Sequence, residues 1–285
     1  MKKRLLAAAI LASLTLSTAV AMAAPTFSGD ANIEYRNSEH AAGLDYLTNR
    51  IRLNVDAQID DSIYIHGRIK QENNLRTAGG GDVTFDQAYM GAKIGAADLK
   101  VGRQSLAMGK GLLMDDDNFR GAYLTTAVEG VNLAGFYGKD NAAVNTQFVD
   151  MGTSFSGINF GASYLKQGDK YYGVNADTKI AENATLNVEY VKNTTDKSDG
   201  YLAEVKVGQA AKKGDFAYAV SYRDIENGAV GPNSTNTNFD NSKGFMVKGT
   251  YKVSDKATLV AYQDIVEDQG GAGKNRTNVE FSVNF

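Results

Sequence analysis

The 285-residue chain contains no cysteine, which excludes disulfides and thiolate metal sites and leaves hydrogen bonding and packing to hold the fold. Past residue 23 no stretch approaches the ~18 apolar residues of a spanning helix, so a membrane location demands a closed barrel. Histidine is limited to His40 and His66. By strand parity His66 points inward, and His40 falls in the first loop, so neither suits a serine–histidine hydrolase acting at the lipid surface. Inward carboxylate pairs could serve a glycosidase, but a charged lumen supplies such pairs by chance. No enzyme constellation survives. Asp115-Asp116-Asp117-Asn118-Phe119 lacks the turn glycine and distal glutamate of a calcium loop. Gly270-Gly271-Ala272-Gly273-Lys274-Asn275 has neither the spacing nor the Ser/Thr of a phosphate loop, and no helix follows it. No cofactor and no metal are therefore expected. The net charge of −3 carries no basic excess, which argues against a nucleic-acid partner.

What is present begins with an address. Lys2-Lys3-Arg4, an apolar stretch from Leu5 to Val20 and the small-x-small site Ala21-Met22-Ala23 read as a signal peptide over residues 1–23. An uncleaved anchor helix is the alternative, although the apolar stretch is short for a span. Cleavage would remove three positive charges and take the net charge from −3 to −6. Residues 24–285 then form one domain without linker or low-complexity block.

Throughout that domain apolar and polar residues alternate, the period of a strand that is greasy on one face only. Phe27, Gly29, Ala31, Ile33 and Tyr35 alternate with polar partners, as do Ile51, Leu53, Val55, Ala57 and Ile59. Parity survives the turn Asp60-Asp61-Ser62, after which Ile63, Ile65, Gly67 and Ile69 face out and Tyr64, His66, Arg68 and Lys70 face in. Further strands are expected at 84–95, 97–104, 119–127, 131–138, 143–155, 157–167, 170–181, 184–193, 200–209, 214–224, 242–254, 256–267 and 276–285. The fold class is all-β, a transmembrane antiparallel barrel of sixteen strands, or fourteen without 119–127 and 143–155. Short connections alternate with longer ones at 36–45, 73–83, 105–118, 225–241 and 268–275, as periplasmic turns alternate with outer loops in bacterial barrels. Fifteen Tyr and twelve Phe, many at outward parity near strand ends (Tyr35, Tyr137, Phe155, Tyr164, Tyr172, Tyr190, Tyr201, Phe216, Tyr222, Phe245, Tyr251), suit interfacial girdles. A mean hydropathy of −0.32 fits a barrel that hides alternate residues in lipid and keeps its lumen wet.

Inward charge is uneven. Arg50, Arg52, His66, Arg68 and Lys70 form a basic wall on two neighbouring strands; Arg36, Lys93 and Lys100 add to it, and Arg103 stands at the mouth of the 105–118 loop. Were that loop to fold inward, Asp115, Asp116 and Asp117 would face the wall across a narrow opening, and the transverse field would sort ions and orient dipoles. The alternative is a solvated acidic loop, with the arginines paired to Asp56 and Glu72.

The run Phe85-Asp86-Gln87-Ala88-Tyr89-Met90-Gly91-Ala92-Lys93 followed by Leu99-Lys100-Val101-Gly102-Arg103-Gln104 resembles a strand pair of the trimeric general porins of Gram-negative outer membranes. There, too, the next loop folds into the pore. Asn118-Phe119-Arg120-Gly121-Ala122-Tyr123 and Gly130 to Gly138 continue the likeness, although the Pro-Glu-Phe-Gly type of loop tip is absent. The alternating strand Asn278 to Phe285 likewise looks like the C-terminal strand of outer-membrane barrels, whose terminal Phe is an assembly signal. The resemblance implies a homotrimeric passive channel for small hydrophilic solutes and ions. It further implies an arginine cluster opposite an acidic inward loop, and insertion into outer-membrane lipid by the barrel-assembly machinery. Two other readings stay open: a substrate-specific anion channel of the phosphate type, and a plugged structural or adhesive barrel.

Overall fold

The computed structural model describes residues 24–38, 45–77 and 80–285; the proposed signal segment and His40 lie outside them. Sixteen strands follow one another: β1 (Thr26–Ser38), β2 (Tyr46–Gln58), β3 (Ile63–Asn74), β4 (Val83–Ile94), β5 (Ala97–Met108), β6 (Met114–Val128), β7 (Val131–Lys139), β8 (Asn145–Phe155), β9 (Ile158–Gln167), β10 (Asp169–Ala181), β11 (Ala184–Asn193), β12 (Ser198–Gly208), β13 (Phe216–Ile225), β14 (Ser242–Ser254), β15 (Ala257–Asp268) and β16 (Arg276–Asn284). The segments 119–127 and 143–155 are strands, which settles sixteen over fourteen. Each strand pairs antiparallel with the next, and β16 returns to β1 through Ala31 opposite Val283, Ile33 opposite Phe281 and Tyr35 opposite Val279. Closure leaves no edge with unpaired N–H and C=O groups, the condition hydrocarbon imposes on any spanning sheet.

Alternation dictates the two faces. Every strand leaves at least one large apolar side chain exposed outside, among them Ile51, Ile65, Met90, Val101, Leu124, Val174, Val247 and Phe281. Outward aromatics meet across neighbouring strands at two levels. Tyr164–Tyr172, Tyr190–Tyr201 and Tyr222–Phe245, with ring centroids 5.0 to 5.1 Å apart, stand toward the longer loops. Phe216, Tyr218 and Tyr251 form a second group near the short turns. Lys139, Lys166, Lys170 and Lys192 each sit two residues beyond Tyr137, Tyr164, Tyr172 and Tyr190 on the loop side, where amphipathic rings give way to charge.

The lumen is not uniformly wet. Leu106, Met108, Leu112, Leu113, Met114, Phe119, Phe136, Phe148, Leu165, Val191 and Phe239 belong to one buried apolar cluster inside the barrel. It exists because the β5–β6 hairpin and the β13–β14 loop both fold inward and need an apolar footing.

Candidate functional site

The strands β5 and β6 run on beyond the wall as a paired ribbon, Met108 opposite Met114, so the loop proper is only residues 109–113. This corrects the 105–118 loop: its flanks satisfy their backbone groups as strand. The tip crosses the lumen. Leu112 N–H donates to Glu189 of β11 at 2.9 Å, Lys110 pairs with Asp177 of β10, and Leu113 packs on Gly173. Gly109 has φ +69°, and a Cβ there would lie 1.9 Å from the Glu189 carboxylate, so any other residue would be strained and would push that carboxylate aside. The β13–β14 loop, residues 226–241, clamps the tip from the other side. Gly231 N–H donates to Leu112 O at 3.2 Å, Asn236 Nδ2 to Gly111 O at 2.9 Å, and Asp115 N–H to Asn233 O at 2.9 Å. A Cβ on Gly231 would meet Leu113 O at 2.0 Å.

Arg50, Arg52, His66, Arg68 and Lys70 stand together on the inner faces of β2 and β3, with Arg52 opposite Lys70 and Arg50 opposite Glu72. Each has an acidic neighbour. Arg52 Nε donates to Asp30 at 2.8 Å, Arg50 lies 4.0 Å from Asp30, His66 Nδ1 is 2.7 Å from Asp56, and Lys70 is 3.5 Å from Glu72. Arg68 binds Asp86 through two parallel bonds of 2.9 and 2.8 Å and also reaches Asp117 at 2.8 Å. Bidentate guanidinium–carboxylate geometry is the strong form of this contact. Lys100 lies inside, 5.5 Å from the Tyr89 ring centroid.

The acidic triplet divides. Asp117 is in contact with the basic wall, since Arg68 holds it and Arg52 lies 3.9 Å away; Ser105 also hydrogen-bonds it. It does not face the wall across an opening, because β6 begins at Met114 and places Asp117 on the ribbon beside β3. Asp115 and Asp116 turn the other way and line a cavity of about 510 Å³ with Glu34, Arg36, Arg276 and Glu280. Asn233 Nδ2 donates to Asp116 at 2.7 Å and fixes it there.

Arg103 is placed differently from the expectation. It pairs opposite Ala88 and Arg120 and shares the parity of Leu99 and Val101, which is the outer face. Its guanidinium donates to Phe85 O at 3.1 Å. With Arg120 and Lys139, which lie next to it across the sheet, it belongs to the cationic rim beyond the girdle. The error is one of parity: strand β5 continues past Arg103, so its side chain keeps the alternation and cannot turn into the pore.

Four residues central to the site were not singled out in the sequence. Asp86 is hidden by a bulge between Arg68 and Ile69, where one extra residue in β4 brings both Asp86 and Gln87 to the interior. Glu189, Arg223 and Arg276 have inward parity, a signal available in principle, but only the two inward segments make them important.

The chain matches the Gram-negative porin family over residues 7–285. Among solved structures it is similar to mutants of a porin from Rhodopseudomonas blastica. One superposes with a TM-score of 0.68 at 14% identity and another with 0.67 at 14%, each alignment covering 92% of this chain and 100% of the other. No curated protein matches the sequence.

Proposed function

This chain belongs to the Gram-negative porin family, and from that premise we propose a charge-filtered constriction inside an outer-membrane barrel through which small hydrophilic solutes and ions diffuse passively. Family and fold are those of a diffusion porin and do not favour a substrate-specific channel. The observation that carries the filter is the meeting of the β5–β6 hairpin with the β13–β14 loop across the lumen. Solutes pass beside these segments, against β1, β2, β3, β15 and β16. On that route Asp115 and Asp116 oppose Arg36 and Arg276, and the Arg50–Lys70 wall lies alongside. Charges of both signs in a confined, partly dehydrated passage act over longer effective range than in bulk water, which supports sorting by sign as well as by size.

A homotrimer is part of the same proposal. On β2–β6 the outer face is aliphatic, with Ile51, Leu53, Val55, Ile63, Ile65, Ile69, Met90, Val101 and Leu124, and Phe85 its one aromatic. The aromatic girdle is concentrated on β7–β14. A face with a single outward aromatic suits protein neighbours better than headgroups.

Planar-bilayer recording tests the channel. Stable, stepwise conductance that rises with salt is expected, and Arg36→Gln and Arg50→Gln should each shift the reversal potential toward cations. A barrel that inserts and folds yet conducts nothing would sink the diffusion reading in favour of a plugged barrel. Conductance with unchanged reversal potential in both variants would refute the charge filter alone.

A further inference from the structure

Beneath the hairpin tip lies a second cavity, of about 310 Å³, between the β13–β14 loop and the inner wall of β11–β16. Lys110, Arg223, Lys248 and Arg276 line it, against the single carboxylate of Glu204. Two of the cations are already engaged, Lys110 with Asp177 and Arg276 with Asp264 at 2.7 Å. Arg223 is not. It is 7% exposed, donates to Ser221 Oγ at 2.8 Å and lies 4.5 Å from the Phe239 ring centroid, and its buried Nε has no partner. Asp264, already bound to Arg276, and Glu204 act on Arg223 only through their charge, and no described carboxylate forms a direct ion pair with it.

A buried guanidinium without a direct ion-pair partner is expensive, because burial strips its hydration and one hydrogen bond with a ring face replaces only part of it. The contrast with β2 and β3 is instructive: there each of the five basic side chains lies within 4.0 Å of a carboxylate, and here the most deeply buried one pairs directly with none. We propose that this cavity binds a small oxyanion, the carboxylate or phosphate group of a solute in transit. The planar fork of Arg223 matches two oxygens at once. Lys248 and Lys110 add positive charge, and Asn187, Thr235 and Asn236 add hydrogen-bonding groups. Phe239, Leu202 and Met246 form an apolar lining that keeps the local dielectric low and strengthens the attraction. With roughly 30 Å³ per water in the liquid, the cavity has room for such a group and several waters. A bound anion would join the hairpin tip, the β13–β14 loop and the barrel wall, since each contributes to the lining.

The proposal rests on the lumen being a passage, and the test separates the two. Single-channel current in potassium chloride is titrated with inorganic phosphate at constant ionic strength, with acetate as the carboxylate arm and bromide, which has no oxygens, as the control anion. Phosphate, acetate or both should lower the current along a saturating curve, and bromide should not; the arm that saturates identifies the preferred oxyanion. Arg223→Gln should raise the half-saturating concentration about tenfold, the loss of one charge-assisted contact. Lys248→Gln, at a half-exposed position that folding tolerates more readily, should raise it severalfold. Gel migration before and after boiling verifies that each variant is folded. Responses to phosphate and acetate indistinguishable from bromide overturn the site, as does an unchanged half-saturation in both folded variants. Absence of current in chloride alone would overturn the channel reading itself.

Discussion

Arg68 holds two carboxylates, Asp86 at the bulge of β4 and Asp117 on the inward ribbon, and so joins the barrel wall to the constriction. Asp86 is 1% exposed, so removing its partner leaves a buried charge uncompensated, a loss of roughly 3 to 5 kcal/mol. Arg68→Ala should lower the denaturant midpoint of the folded barrel accordingly, and Arg68→Met with Asp86→Leu should recover most of it. A single variant as stable as the parent would show that the pair contributes nothing. Asp60, in the exposed β2–β3 turn, works by a gentler version of the same chemistry. It accepts N–H bonds from Ser62 and Ile63 at 2.8 Å, and these hold its carboxyl below the usual carboxylate range. A depressed folded pKa contributes stability above the ordinary value of about 3.9 and loses it as pH falls through the lowered one. The Ser62 and Ile63 amide shifts in an NMR titration should therefore turn over below about 3.9; a midpoint at or above it would contradict the assignment. Parity alone identifies Arg50, Arg52, His66, Arg68 and Lys70 as lumen residues, because side-chain alternation is fixed by the pleat. It could not identify Asp86, whose bulge breaks the count of two.

The β5–β6 hairpin shows where an element escapes a sequence reading. Its inward course was legible from the acidic triplet and the preceding strand pair, but its conformation was not. Leu106, Met108, Leu112, Leu113 and Met114 are a poor composition for a solvated loop, and their destination depends on residues from β6 to β15 that no local pattern connects. Glu189 is the anchor, since it accepts the Leu112 N–H inside the apolar cluster. Glu189→Ala would leave that donor buried without an acceptor, which costs about 1 to 3 kcal/mol, enough to populate undocked tips. The variant should show added current noise and trypsin cleavage after Lys110 while its strands stay folded; the parent, whose Lys110 pairs with Asp177, should resist. Equal resistance in both would mean that the β13–β14 loop alone holds the tip.

At the scale of the whole barrel, closure was the most legible property, because sixteen half-polar strands have no other way to satisfy their backbones in lipid. The closing seam uses Phe285, whose N–H and C=O both pair with Gly29 at 2.9 and 2.8 Å while its ring covers that glycine. Assembly beyond one barrel was less legible, since alternation looks the same against lipid and against protein. The distinguishing feature is the distribution of outward residues around the circumference. Ile65 stands at the centre of the aliphatic face, opposite Ala57 and Met90 and beside Gly67, where small neighbours would let a second barrel approach closely. Val174, on β10, lies in the aromatic half near Tyr172. Tryptophan is tolerated by lipid at either place, but a packed protein interface has no room for it. If the proposed trimer is built through β2–β6, Ile65→Trp should convert it to monomers on light scattering of the detergent-solubilised protein, and Val174→Trp should leave the parent mass unchanged. The same mass for both variants would move the contact away from β2–β6.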